Sequence, residues 1–301
     1  MIKKVLIGLT SVIPLAFIIV YFMAQPNLEE DGSYSPSSLA LKLGTVPVSD
    51  YEEIKYTKYE GDKSKILVIF TENKNLEMKN GKLFSTGNHP IEALVPMLHL
   101  KNAGFDFQIV TPNGRPVVFE MWAFPNKDEN VKAIYAEYKA AFEKPGKLSD
   151  FTANSFTNDS AYAAVFVPGG HGAMNGIPED KNVGKTLKWA HNNDLFTITL
   201  CHGPGSLLST TLENQEFIYK GYKMAVFPDA VDEMTPMVGY LPGYMKAGVS
   251  ERLTNLGAII VNSESDNTTV RDRDLITGAS QLASNNLGKL AAETLLSELT
   301  K

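Results

Sequence analysis

The sequence is poor in cysteine: Cys201 is the only one among 301 residues. No intramolecular disulfide can form and no multi-cysteine metal cage can be built, which excludes a disulfide scaffold. Clustered cations are missing as well. With a net charge of -6 and no long run of Lys or Arg, the chain lacks the surface that phosphate neutralisation requires, so nucleic acid is not expected as a macromolecular partner. No internal repeat is visible, and a hydrophobic content of 44% supports a packed core rather than disorder.

What is present begins with an apolar run. Val5 to Ala24 is uncharged over 20 residues, preceded by Lys3 and Lys4 and followed by Glu29, Glu30 and Asp31. As a helix it would span about 30 Å, the thickness of a bilayer core. The expectation is a membrane anchor over residues 1–27, with its basic end inside and the body extracytoplasmic, on the periplasmic or extracellular face. A cleaved signal peptide is the alternative, but its apolar region is usually about 7 to 15 residues and small residues precede its cleavage site, where this chain has Phe22. Residues 28–63 are polar, without a sustained period, and read as a linker that becomes an arm packed on the body.

From Ile66 onward, short β-rich runs alternate with amphipathic stretches. Strands are expected at Ile66 to Phe70, Phe107 to Val110, Ala164 to Val167, Phe196 to Leu200, Met224 to Phe227, Ala258 to Val261 and Leu275 to Thr277. Helical periodicity falls on Pro90 to Ala103, Val183 to Asn193, Gly203 to Thr210, Tyr244 to Leu256 and Leu287 to Leu299. Near-continuous apolar strands separated by helices predict an α/β, doubly wound parallel sheet sandwich over residues 64–301. Residues 116–158 break the rhythm with aromatics, prolines and a Lys/Glu/Ala-rich helix around Val131 to Phe142. They read as a small inserted lid subdomain near the mouth of the site.

The chemistry concentrates where strands end. Phe196-Thr-Ile-Thr-Leu-Cys201-His202-Gly203-Pro204 runs a buried strand into the cysteine, then a Gly/Pro turn, then a helix. That geometry exposes a nucleophile at the carboxyl edge of a sheet, and the helix N-terminus favours thiolate. A lone cysteine without such a context is more often a small buried hydrophobe. His202 can relay protons if a carboxylate holds its other nitrogen, and Asp229, after Phe227-Pro228, is the candidate delivered to the same edge; its bland reading is a turn or cap residue. Pro168-Gly169-Gly170-His171 ends another strand in glycines whose N–H groups can approach an oxyanion. Glu92, in the first turn of the helix after Ser85-Thr86-Gly87-Asn88-His89-Pro90, is ordinarily a dipole partner. Facing Cys201 in an apolar pocket, it would have a raised pKa and could shuttle a proton.

Together these pieces resemble the ThiJ/PfpI superfamily, and within it the HchA-like branch of glyoxalase III, deglycase and holdase chaperone proteins. The resemblance rests on Phe84-Ser-Thr-Gly-Asn-His-Pro-Ile-Glu92, Glu120-Met-Trp-Ala123, Val167-Pro-Gly-Gly-His-Gly-Ala173, Leu200-Cys-His-Gly-Pro204, Phe227-Pro-Asp-Ala230, Gly239-Tyr-Leu-Pro-Gly243, Leu275-Ile-Thr-Gly278 and Ala283-Ser-Asn-Asn-Leu-Gly-Lys-Leu290. It implies a flavodoxin-like core, commonly a homodimer, with Cys201 as nucleophile, His202 and Asp229 as its triad partners and Glu92 against the thiol. It also implies small reactive aldehydes such as methylglyoxal and glyoxal as substrates, with conversion of methylglyoxal to lactate, D-lactate in this branch, in carbonyl-stress detoxification, and no glutathione, nucleotide or flavin cofactor. A deglycase using the same thiol on glycated proteins or nucleotides is the alternative. A holdase for unfolded proteins and a peptidase or amidotransferase are further classes, the first needing exposed apolar surface and the second an open cleft. Members of the branch can carry a metal on two His and one carboxylate, but the matching positions here are Lys101, Asp106 and Tyr138, of which only Asp106 is a reasonable ligand. With His99 and His89 read as packing residues, no metal is expected.

Overall fold

The computed structural model describes residues 23–154 and 161–300. Its main sheet has seven strands: β1 (Lys65–Ile69), β2 (Asp106–Thr111), β3 (Gly146–Lys147), β4 (Tyr162–Val167), β5 (Phe196–Leu200), β6 (Thr269–Asp272) and β7 (Leu275–Gly278). Their spatial order is β6-β7-β5-β4-β1-β2-β3, with every neighbouring pair parallel except β6 and β7. The four longest α-helices are α1 (Pro90–Asn102), α2 (Glu129–Glu143), α3 (Lys181–Asn192) and α4 (Ser284–Leu299). The expected flavodoxin-like α/β sandwich is the observed fold.

Strand periodicity distributes the core to two faces. Ile66, Val68 and Phe70 pack with Leu94 and Met97 of α1 and Leu287 and Ala291 of α4. Leu67 and Ile69 point the other way, toward Val183 and Leu187 of α3 and Leu253 of the helix Val249–Asn255. Every residue of β4 is buried, as a strand covered on both faces must be. Helices α1 and α4 meet closely because residue 288 is glycine: a Cβ there would lie 2.6 Å from His99 Cδ2 and 3.0 Å from Pro96 Cα.

Several expected elements are shorter or placed differently. Of the expected strands Met224 to Phe227 and Ala258 to Val261, only Met224 and Ile259–Ile260 pair, with Lys223 added, in a separate two-stranded parallel sheet. The helix expected from Tyr244 is confined to Val249–Asn255. A small four-stranded sheet joins Asn27–Leu28, Tyr34–Ser35, Leu83–Ser85 and Asn75–Glu77. These strands are too brief to show alternation in sequence. From the stretch 116–158, β3 adds to the edge of the main sheet, and Val131, Ile134 and Phe142 of α2 enter the first core.

The expected transmembrane helix requires correction, and with it the membrane-anchored, extracytoplasmic location. The run Val5 to Ala24 falls almost wholly on residues 1–22, outside the described residues. Among the described residues no helix is long and apolar enough to cross a membrane. Ala24, where the span was expected to end, instead has its carbonyl against Gly239 of the body. The chain beyond it is fastened there too, by Ser37 N to the Gly239 carbonyl (2.8 Å), Ser37 Oγ to the Val238 carbonyl (2.6 Å) and Lys74 to Asp31 (2.7 Å).

Candidate active site

Strand β5 ends at Leu200, and Cys201 follows with φ +58°, the left-handed region that non-glycine residues rarely adopt. The strain is held from both sides: Cys201 N donates to the Gly278 carbonyl (2.9 Å) and its own carbonyl accepts from Phe227 N (2.9 Å). This kink breaks the strand's alternation, so the next side chain does not point away. His202 Nδ1 comes 3.3 Å from Cys201 Sγ. The helix that follows, Gly203–Asn214, is 3₁₀ in type.

The other imidazole nitrogen identifies the acid. His202 Nε2 lies 2.7 Å from Asp232 Oδ2, and the second oxygen of the same carboxylate is 2.9 Å from His171 Nε2. The two imidazoles are 4.1 Å apart between centroids, and His202 stacks on Phe227 at 4.7 Å. Burial alone would raise the Asp232 pKa, but the charges and hydrogen bonds of His202 and His171 outweigh it and hold the carboxyl well below its usual range. Asp229, the expected partner, is turned elsewhere: its carboxylate accepts from Ser250 N (3.0 Å) and Glu251 N (2.8 Å) and caps the helix Val249–Asn255. Pro228 precedes a short helix, Asp229–Met234, whose first residue is held by the backbone of the helix Val249–Asn255 while its fourth, Asp232, reaches the two imidazoles. The place expected for Asp229 is therefore taken by Asp232.

Glu92 reaches Cys201 from α1, which opens with Pro90 at its first position, where a missing N–H costs nothing. Its approach depends on Gly169, since a Cβ there would overlap Glu92 Oε2, the Leu200 carbonyl and Cys201 Cβ. Burial raises the Glu92 pKa well above the ordinary range and the charge of Glu120 adds to this, while Cys201 and the Gly170 N–H oppose it. Burial also raises the Cys201 thiol, with the charge of Glu92 next, while the Gly170 N–H favours thiolate. Burial thus opposes the thiolate that the helix terminus was expected to favour. A Gly169→Ala substitution should force Glu92 away from the sulfur and lower turnover by about 10²-fold, the scale of a displaced acid/base group. Steady-state kinetics beside a thermal melt would check it, and full activity with a wild-type melt would refute it.

Cys201, His202, Glu92, Gly170 and His171 line one cavity of about 170 Å³ with His89, Glu120, Phe227, Thr235, Tyr240, Gly44, Ser265 and Gln281. No Lys or Arg is among these residues. His89 is buried and its pKa is lowered to about 3 by burial and then by His171, so it is neutral. Sequence reasoning gave no role to Glu120 or Tyr240, and missed Asp232. The only signal for Glu120 was the Glu120-Met-Trp-Ala123 motif, and for Asp232 its spacing one helical turn after Asp229.

His171, His202 and Asp232 are close enough to surround a cation. Both Nε2 atoms already face the two carboxylate oxygens, so the trio reads as a hydrogen-bonded acid bridging two imidazoles. The positions weighed from the resemblance engage one another instead. Tyr138 Oη donates to Asp106 Oδ1 at 2.6 Å, Lys101 pairs with Glu137, and His99 is held by Tyr56 (2.9 Å) and Asn285 (2.8 Å).

Residues 83–293 match the model of the DJ-1/PfpI family. The protein/nucleic acid deglycase HchA of Escherichia coli O7:K1 is 46% identical over 272 residues, covering 90% of this chain and 95% of the relative. Protein/nucleic acid deglycase 1 of Escherichia coli K12 matches to the same extent. The fold is also that of glyoxalase III from Candida albicans, at a TM-score of 0.59 and 23% identity over 77% of this chain and 98% of that one.

Proposed function

From the premise that this chain belongs to the DJ-1/PfpI family, we propose that it is a glutathione-independent glyoxalase that converts methylglyoxal to lactate on Cys201. The observation that carries this reading is a cysteine and a protonatable carboxyl side by side in a small cavity of about 170 Å³. Such a space suits a small dicarbonyl and not a peptide chain, which disfavours a peptidase. The absence of Lys and Arg from the lining suits a neutral aldehyde over an anionic substrate.

The steps balance without an oxidant. His202, oriented by Asp232, takes the thiol proton as sulfur adds to the aldehyde carbon, and Glu92, starting as the acid, protonates the new oxygen. The Glu92 carboxylate then removes the hydrogen from that carbon and returns it to the neighbouring one, so the hemithioacetal becomes a lactoyl thioester through an enediol. Water attacks the thioester and gives its proton to Glu92. The sulfur leaves with the proton held by His202, and lactic acid is released. The Gly170 N–H faces the sulfur, and with Gly169 and His171 forms the wall assigned to the developing oxyanion.

The full chain given methylglyoxal without glutathione should consume it and form lactate; no turnover would refute the reading. Glu92→Gln should cost about 10²-fold or more in kcat, and a rate within about twofold of wild type would return Glu92 to the role of dipole partner. One observation favours a second reading. The 46% identical relatives are named deglycases, and the same thiol could attack an aldehyde adduct on an amine. Release of methylglyoxal from its Nα-acetyl-lysine adduct faster than its spontaneous dissociation, with free aldehyde trapped, would support the deglycase.

A further inference from the structure

The isomerisation moves two protons. One passes from carbon to carbon, on the Cys201 side of the cavity. The other must pass from the oxygen of the first carbon to that of the second, and neither Glu92 nor His202 is left to carry it.

Glu120 is 1% exposed and lines the cavity that holds Cys201 and Glu92. One of its oxygens is fixed, since Thr86 Oγ1 donates to Oε1 at 2.5 Å. The N–H groups of Gly87 and His171 also face the carboxyl. The other oxygen, Oε2, has no hydrogen-bond partner, and neither do Glu92 Oε2 and His89 Nδ1 of the same cavity wall. A buried carboxyl oxygen without a partner costs free energy unless something else satisfies it. Here the natural candidate is a bound molecule with adjacent oxygens.

Building on the glyoxalase reading, we propose that Glu120 is a second catalytic carboxyl, which binds both oxygens of the enediol through Oε2 and carries the proton from one to the other. As the carboxylate it accepts the O–H proton on the first carbon while that carbon's C–H proton goes to Glu92. The C=C bond forms, the second oxygen becomes negative, and Glu120 gives it the proton. Both carboxyls end as they began that stage, and no further reactant is consumed.

The two groups are differentiated by their surroundings. Burial lifts Glu120 to about 6, with His171, Thr86 and the two N–H groups limiting the rise, and burial together with the charge of Glu120 raises Glu92 well above the ordinary carboxyl range. At neutral pH Glu120 is the acceptor and Glu92 the acid, the division of labour that separated environments give a carboxyl pair. The titratable groups facing Glu120 are Glu92, His171, His89, Tyr240 and Cys201.

The test is the pH profile of methylglyoxal turnover by the full chain, for wild type, Glu120→Gln and Thr86→Val. Wild-type kcat/KM should rise with pH through a limb near 6. Glu120→Gln should lower kcat about 10- to 100-fold and abolish that limb. Its rate of Cys201 alkylation by iodoacetamide should stay within about twofold of wild type, since amide and acid differ little in size. Thr86→Val removes a hydrogen bond to the charged form, so its limb should move to higher pH; this variant decides the matter if Glu120→Gln does not fold. An unchanged limb in either variant, or a Glu120→Gln rate within about twofold of wild type, would overturn the proposal with the glyoxalase reading intact. A wild type without turnover would overturn both.

Discussion

Cys201→Ser should abolish turnover, with kcat reduced on the order of 10³-fold or more, while the protein stays folded. The side chain is 4% exposed, between His202 and Glu92, so an oxygen in place of sulfur alters packing little. The chemistry changes far more. An alcohol is a much weaker acid than a thiol, and in a cavity whose burial already opposes the thiolate an alkoxide would be out of reach for His202 as base. Lactate production should therefore vanish at every pH tested. The thermal midpoint should shift by only a few degrees, the equivalent of about 1 kcal/mol or less. Retention of more than a few per cent of activity would mean that another group attacks the aldehyde. The raised thiol has a corollary in the wild type: alkylation of Cys201 should still be increasing with pH where an ordinary cysteine has levelled off.

Much of this arrangement was legible in the amino-acid order, for identifiable reasons. The five central strands were visible because burial on both faces leaves apolar runs such as Tyr162–Val167 with little else to mean. Cys201 and Glu92 were legible because each sits at the first residues after a strand or at the first turn of a helix, where backbone geometry fixes direction. The strands flanking Leu83–Ser85 were not, since their pairing with Tyr34 and Asn75 is decided by tertiary contacts across distant segments. The membrane anchor was read from a run that falls almost wholly on residues 1–22, outside the described residues, and among the described residues no helix is long and apolar enough to cross a membrane. Glu120 was invisible as chemistry because it lies in a loop before the 3₁₀ turn Met121–Ala123, where no periodicity aims a side chain.

The choice between Asp229 and Asp232 shows how fine that limit is, and it yields a sharp contrast. Asp232→Asn should lower kcat by about 10³- to 10⁴-fold, because an amide cannot stabilise imidazolium and can hold His202 in the wrong tautomer. Asp229→Asn should leave kcat within a few-fold and reduce stability by about 1 kcal/mol, the scale of a lost helix cap, since its partners are Ser250 N and Glu251 N. Asp232→Asn has a signature in the pH dependence of stability as well. The Asp232 pKa is depressed in the folded protein, so its stabilising contribution is present above the unfolded carboxyl range and disappears as pH falls through the folded value. Asp232→Asn should therefore flatten the acid limb of the stability curve, measured by denaturant unfolding between neutral and acidic pH. Should Asp229→Asn be the variant that loses turnover, while Asp232→Asn keeps it, the hydrogen bond of 2.7 Å between Asp232 and His202 would be structural only. The proton relay would then have to run through a conformation in which the helix Asp229–Met234 has turned by about 60° and slid by about 4.5 Å, a rearrangement that would break both helix-capping bonds of Asp229.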